Sequence, residues 1–133
     1  MKSFIEEVLR FDAPVHGILR FTKGDAEIAG AKILKNTVVM PRYGAANRDQ
    51  TKFPNPDVFD IGRANASQHM SFGFGAHYCV GAALARQEMI SAFTALLDRV
   101  TDIALIGDMP QPAHEPSFFL RPLKQLPITF RKA

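Results

Sequence analysis

The apolar positions of the first dozen residues recur at helical spacing. Phe4, Val8 and Phe11 stand at i, i+4 and i+7, and Ile5 and Leu9 widen the stripe. The pattern predicts an amphipathic helix over residues 3–12. Pro14 ends it, because the residue before a proline is pushed out of helical conformation. Residues 15–22 mix apolar and β-branched side chains and are expected to be extended. Residues 27–34 read as a small hairpin turning near Gly30, and residues 37–40 as a buried strand stopped by Pro41. Residues 42–78 lack regular periodicity, apart from a short helical turn expected at 44–49 and a turn cluster at Pro54, Asn55, Pro56 and Asp57. Residues 82–99 give the strongest helical signal. Their first turns are apolar on every side, which predicts a buried helix. From residue 101 onward the prolines Pro110, Pro112, Pro116, Pro122 and Pro127 suit short strands and turns, with a final strand at 128–131. The fold class read from this pattern is mainly α with small antiparallel β pairs, an α+β arrangement in a single domain over 1–133.

Composition changes that picture little. The chain has 133 residues, 47 % of them hydrophobic and 22 % charged, so it can bury a core and is not of disordered type. The net charge is +3, with acids and bases interspersed until the end. A nucleic-acid binder would concentrate its cations on one face or arm. Arg121, Lys124, Arg131 and Lys132 read as a solvated edge, and no nucleic-acid partner is expected. The single cysteine excludes an intramolecular disulfide. No signal-peptide pattern and no long apolar span is seen, so the expectation is a soluble cytoplasmic protein without a membrane partner. The length of the irregular 42–78 stretch points to a functional loop, since its Phe and Pro content argues against disorder.

The informative stretch is Phe72-Gly73-Phe74-Gly75-Ala76-His77-Tyr78-Cys79-Val80-Gly81-Ala82-Ala83-Leu84-Ala85-Arg86. Two glycines precede a cysteine that opens a helix. Glycine permits a tight loop and a close approach of backbone to ligand. The helix start presents unpaired N–H groups and the positive end of the dipole, which favour a sulfur anion. A soft anion can ligate a metal or attack an electrophile. On the residues alone, three alternatives stand: an inert buried thiol, a zinc ligand with His69 and His77, and a nucleophile with His77 as base. The zinc reading lacks a fourth ligand and any CxxC pair.

This stretch resembles the haem-binding loop of the cytochrome P450 family, Phe-Gly-x-Gly-x-His-x-Cys-x-Gly-x-x-Leu-Ala-Arg, at every fixed position. The resemblance implies that Cys79 is the protein ligand to the iron of haem b (iron protoporphyrin IX), the thiolate mode of haem ligation. It implies that Phe72 packs beside the ligand, that Gly73 shapes the loop, and that Gly81 lets the helix approach the porphyrin. Glu7 and Arg10 resemble the family's Glu-x-x-Arg pair, which joins a later arginine to hold the loop before the haem site. Arg63 is the candidate, one residue further from Phe72 than the family pattern, so a bulge is expected between them. Arg20 follows Pro14 and Val15 at the spacing of an arginine that binds a haem propionate. His77 is a second propionate residue and His69 a weaker third. Gly44-Ala45-Ala46-Asn47-Arg48-Asp49 is similar to the soluble bacterial branch. The resemblance runs from about Phe4 to the end of the chain.

The function implied by the resemblance is that of a haem-thiolate monooxygenase acting on a small apolar substrate, with Val15, Ile18, Phe118 and Phe119 as candidate lining residues. Phe118 and Phe119 serve equally well as core aromatics of a strand. The electron donor implied is of ferredoxin or flavodoxin type, and Arg86 is a candidate for its docking face. The chain matches only the C-terminal part of such an enzyme. It carries no segment like the helix that crosses the distal haem face. A non-catalytic haem-binding or interaction fragment is therefore the alternative function, and a second chain supplying the distal half is an expected partner.

Overall fold

The apolar stripe of residues 4–11 becomes α1 (Lys2–Phe11), which buries Ile5, Glu7, Leu9 and Arg10. The computed structural model describes residues 1–107 and 113–133; the prolines Pro110 and Pro112 lie outside the described residues. Among the described residues, three two-stranded antiparallel sheets follow α1. β1 (Arg20–Phe21) pairs with β4 (Val38–Val39), with Arg20 opposite Val39. Between them, β2 (Ala26–Ile28) and β3 (Ala31–Ile33) form a hairpin. Ala29 and Gly30 turn it, both at positive φ, as a two-residue turn that matches strand twist requires. β5 (Val100–Leu105) pairs with β6 (Ile128–Lys132). The register shifts between Thr101 and Ala104, where Asp102 adopts a positive φ. A bulge places one extra residue on one strand in this way.

The 42–78 segment holds its shape through polar contacts. It contains the single-turn helix α2 (Tyr43–Ala46) and 3₁₀ turns at Ala66–Gln68 and Gly75–His77. Asn47, fully buried, donates from Nδ2 to Ser71 Oγ at 2.8 Å and accepts the Met70 N–H at 2.7 Å. Ser71 in turn donates to the Leu9 carbonyl at 2.6 Å. One amide side chain thus ties α2 to α1 and to the segment just before Cys79. Phe59 stands edge-on to both Phe4 (6.3 Å) and Phe11 (5.5 Å), fixing the 54–63 stretch on the same helix.

Residues 14–17 run between two neighbours. The His16 N–H donates to the Phe119 carbonyl at 2.7 Å, and the Tyr43 N–H donates to the His16 carbonyl at 2.8 Å. Val15 and Gly17 form single bridges to Leu120 and Arg42. This strip carries Val15 and Tyr43 to the same place as the cysteine loop.

α3 (Ala82–Leu97) packs on α1 through Phe93, whose ring meets Phe4 edge-on at 5.4 Å. Two expectations are corrected here. The apolar composition of α3 predicts burial, yet among its described residues only Ala82 is buried and Leu84 is 63 % exposed. The strand at 38–39 is likewise exposed at Val38 (50 %). Apolar composition reports what a surface prefers to contact, and within this chain few elements cover these two. No described helix is long and apolar enough to cross a membrane.

Candidate cofactor site

The cysteine loop is closed by its own backbone. Gly73 and Gly75 lie at φ +76° and +71°, a region that side chains with a Cβ disfavour. The Gly73 N–H donates to the Met70 carbonyl at 2.8 Å, and the Tyr78 N–H to the Gly75 carbonyl at 3.0 Å. The Cys79 N–H then returns to the Phe72 carbonyl at 2.9 Å, joining the two ends of the loop. Gly81 caps α3, two residues beyond Cys79, and a Cβ placed on it would meet Cys79 Sγ at 3.9 Å. Cys79 therefore stands at the start of α3, where the helix dipole favours an anion.

Cys79 is exposed and lines a cavity of about 630 Å³ together with Leu9, Val15, Ile18, Tyr43, Ser71, Phe72, Gly73, His77 and Tyr78. This volume lies in the range of pockets that bury a cofactor-sized molecule. The three alternatives open at the sequence level now separate. The thiol is not an inert core residue, because it is exposed. Among the described residues no group of three His, Cys, Asp or Glu side chains could hold a metal, so a zinc centre has no ligand set here. No hydrogen bond joins Cys79 Sγ to a base among the described residues, unlike a thiol activated for attack. One soft donor on a mainly apolar wall fits a flat apolar macrocycle whose metal needs a single protein ligand from this side.

The structure brings Val15, Ile18, Phe72, Gly73 and His77 to the cavity wall with Cys79. Arg20 lies on β1 with its Nη1 on the Leu19 carbonyl at 2.9 Å, off that wall. His69 is corrected: it is buried, off the cavity wall, with both ring nitrogens engaged. Its Nδ1 accepts the Ser71 N–H at 3.1 Å, so Nε2 is the protonated nitrogen of the neutral ring and donates to Glu6 at 3.1 Å. No donor is left for a propionate. Burial pushes the His69 pKa below its ordinary value even though Glu6 pulls it up. The Phe119 carbonyl accepts the His16 N–H, but neither Phe119 nor Phe118, which is 85 % exposed, lines the cavity.

Arg86, the candidate for a docking face, is engaged within the chain. Its guanidinium is already bound bidentately to Glu6, at 2.6 and 3.0 Å, and Nη1 reaches the Tyr78 hydroxyl at 3.2 Å. Sequence spacing could not reveal Glu6 as its partner, because the two are 80 positions apart.

Below the loop, Glu7, Arg10 and Arg63 come together. Arg10 grips the Glu7 carboxylate through Nε at 2.7 Å and Nη2 at 2.8 Å, with both residues fully buried. Its remaining N–H groups reach the carbonyls of Asn47 and Pro56, both at 2.9 Å, and of Val58 at 3.3 Å. Arg63 Nε adds a contact to the same carboxylate at 3.2 Å and binds the Pro54, Asn55 and Val58 carbonyls. Burial alone would raise the Glu7 pKa. The hydrogen bonds from Arg10, the Asp60 N–H and Arg63 outweigh it and hold the carboxyl below its ordinary value. The cluster pins residues 54–63 to α1 and so fixes the approach to the cysteine loop.

Comparison with known proteins agrees with this geometry over nearly the whole chain. The family model described as cytochrome P450 matches residues 1–130. A cytochrome P450 of Bacillus subtilis is 42 % identical over 131 residues, which are 98 % of this chain and 32 % of that protein. A steroid C26-monooxygenase of Rhodococcus jostii is 38 % identical over 133 residues, 99 % of this chain and 27 % of that protein. The substrate-free cytochrome P450 of Mycobacterium marinum superimposes with a TM-score of 0.94 at 40 % identity, over 99 % of this chain and 34 % of that one. The chain thus spans about a third of the length of the relatives it matches. A match that takes in α1, the cysteine loop and β6 alike leaves one assignment: this chain belongs to the cytochrome P450 family.

Proposed function

We propose that this chain supplies the thiolate ligand and one wall of a haem-thiolate monooxygenase. The observation that carries the reading is Cys79, exposed on an apolar cavity at the head of α3, in a loop whose ends its own N–H closes. When bound, haem b supplies the oxygen activation by which one atom of O2 is inserted into an apolar organic substrate, with electrons from a ferredoxin- or flavodoxin-type donor. The residues of this chain bind and orient. Cys79 holds the iron as a thiolate, favoured by the dipole of α3. Phe72 packs beside the sulfur and shields it from water. Arg20 and His77 hold the propionates, since cationic and N–H donors suit carboxylates; this use of Arg20 requires its side chain to turn away from the Leu19 carbonyl. Val15 and Ile18 present apolar surface to the cavity, which would favour an apolar substrate and keep water away. The steroid C26-monooxygenase among the relatives supports a substrate of this kind.

The test is spectroscopic. The chain is loaded with haem, reduced and exposed to carbon monoxide. The expected result is the long-wavelength band of the thiolate-ligated complex, lost in Cys79→Ser. Retention of that band in the variant overturns Cys79 as the ligand.

A further inference from the structure

Arg86 and Glu6 lie off the wall of the Cys79 cavity and line a separate cleft between α1 and α3. Their contacts nevertheless converge on the cysteine loop. The Arg86 guanidinium sits over the Phe72 ring, 4.6 Å from its centroid, while Nη1 meets the Tyr78 hydroxyl. Phe72 begins the loop and Tyr78 immediately precedes the ligand. The Phe72 carbonyl also receives the N–H of Cys79 itself. One planar group thereby touches both ends of the loop. Glu6 orients it through two parallel hydrogen bonds, and His69 Nε2 also donates to Oε2 of the same carboxylate.

We infer that Arg86, oriented by Glu6, is a positioning residue for the Cys79 thiolate: it clamps Phe72 and Tyr78 so that the sulfur keeps one orientation toward the cavity. The inference rests on the haem-thiolate reading above and goes beyond it by naming the residues that hold the ligand loop. The chemistry requires an arginine. Its fork can bind Glu6 bidentately, stack on Phe72 and still offer a donor to Tyr78, whereas a lysine ammonium is a point charge that cannot do all three. The pair is also better placed than an ordinary surface ion pair, since the Glu6 side chain is 16 % exposed and that of Arg86 27 %. The hydrogen bond from Arg86 to Glu6 raises the Arg86 pKa, and both Arg86 and His69 pull that of Glu6 down against its burial.

The alternative is a plain staple between α1 and α3, and the experiment separates the two. The unsubstituted chain, Arg86→Lys, Glu6→Gln, Tyr78→Phe and the control Phe93→Leu are each prepared without haem and their unfolding midpoints measured. Each is then titrated with haem, reduced and treated with carbon monoxide. Phe93 packs on Phe4 of α1 and lies off the wall of the Cys79 cavity, so Phe93→Leu should lower the midpoint and leave the thiolate band and haem affinity intact. Arg86→Lys and Glu6→Gln should weaken haem binding by about tenfold, or about 1.4 kcal/mol. They should also convert much of the carbon monoxide complex to the short-wavelength form of a lost thiolate. Tyr78→Phe, which removes one hydroxyl and should fold, is expected to do the same to a smaller extent. If the loop variants lower the midpoint as Phe93→Leu does but keep the band and the affinity, the clamp is refuted and the ligand reading stands. If the unsubstituted chain gives no thiolate band, the haem-thiolate reading fails and the clamp falls with it.

Discussion

At Gly73 the atoms nearest to a built Cβ are the Tyr43 hydroxyl at 3.5 Å and the His77 carbonyl at 3.7 Å, both ordinary contact distances. The cost of a side chain there is conformational, set by φ +76°. Gly73→Ala should therefore destabilise the haem-free chain by about 1–2 kcal/mol, the usual cost of a left-handed L-residue. Urea unfolding measures it, and an unchanged midpoint would show that the loop relaxes out of this conformation at no cost. The role of this glycine was legible in the sequence, because two glycines just ahead of a cysteine signal a tight loop around it. The role of His69 was not. A histidine three positions before Phe72 suggests a propionate contact, but its ring nitrogens were already taken by Glu6, from α1, and by the Ser71 N–H. Hydrogen-bond partners brought in by the tertiary fold leave no mark on local spacing.

The neighbouring acids Glu6 and Glu7 give α1 a polar function beyond its apolar stripe. Glu7 and Arg10 are completely buried, and removing one member of such a pair strands the other. Arg10→Met should cost about 3–5 kcal/mol, because it leaves the Glu7 carboxylate short of two hydrogen bonds and the Asn47 and Pro56 carbonyls without this donor. A loss below about 1 kcal/mol in chemical unfolding, where typical hydrogen bonds fall, would contradict that account. Acid should act on the same helix. The folded-state pKa values of His69, Glu6 and Glu7 all lie below their ordinary values of 6.5, 4.5 and 4.5. Protons then bind the unfolded chain more readily, so stability is complete above these ordinary values and is lost as pH falls through the folded ones. Thermal midpoints of the haem-free chain should begin to fall below pH 6.5 and drop more steeply below 4.5. His69→Asn should remove the first phase, and a midpoint that rises on acidification would reverse the sign. The Glu-x-x-Arg spacing made the Glu7 and Arg10 pair legible, since i and i+3 are neighbours on a helix. Helix and strand positions were legible to within a few residues for the same reason, periodicity being local. The exposure of α3 was not, because periodicity does not say which surface will cover an apolar helix.

The whole chain has an accessible surface of 9798 Å² for a mass of 14.7 kDa. A compact monomer of that mass exposes about 6,900 Å² by the usual area scaling. The excess, roughly 2,900 Å², is comparable to the area buried by a large permanent interface. Much of it is apolar. Val80 is fully exposed, Phe118 is 85 % exposed and Phe74 81 %, with Leu84 and Phe21 at 63 and 70 %. Val80 immediately follows Cys79 and Leu84 lies in the first turn of α3. Soluble monomers rarely leave apolar area of this extent uncovered. The family relatives are about three times as long as this chain. The 133-residue chain by itself should therefore bind an apolar dye such as anilinonaphthalene sulfonate strongly. It should also associate as its concentration rises, with sedimentation showing a weight-average mass that climbs above 14.7 kDa. Val80→Lys together with Leu84→Lys should reduce both effects, because the two substitutions place charge on the exposed apolar surface nearest Cys79 without touching a buried contact. A chain that stays monomeric and leaves the dye dark would mean that these side chains fold back onto the molecule in solution, and that no covering partner is required.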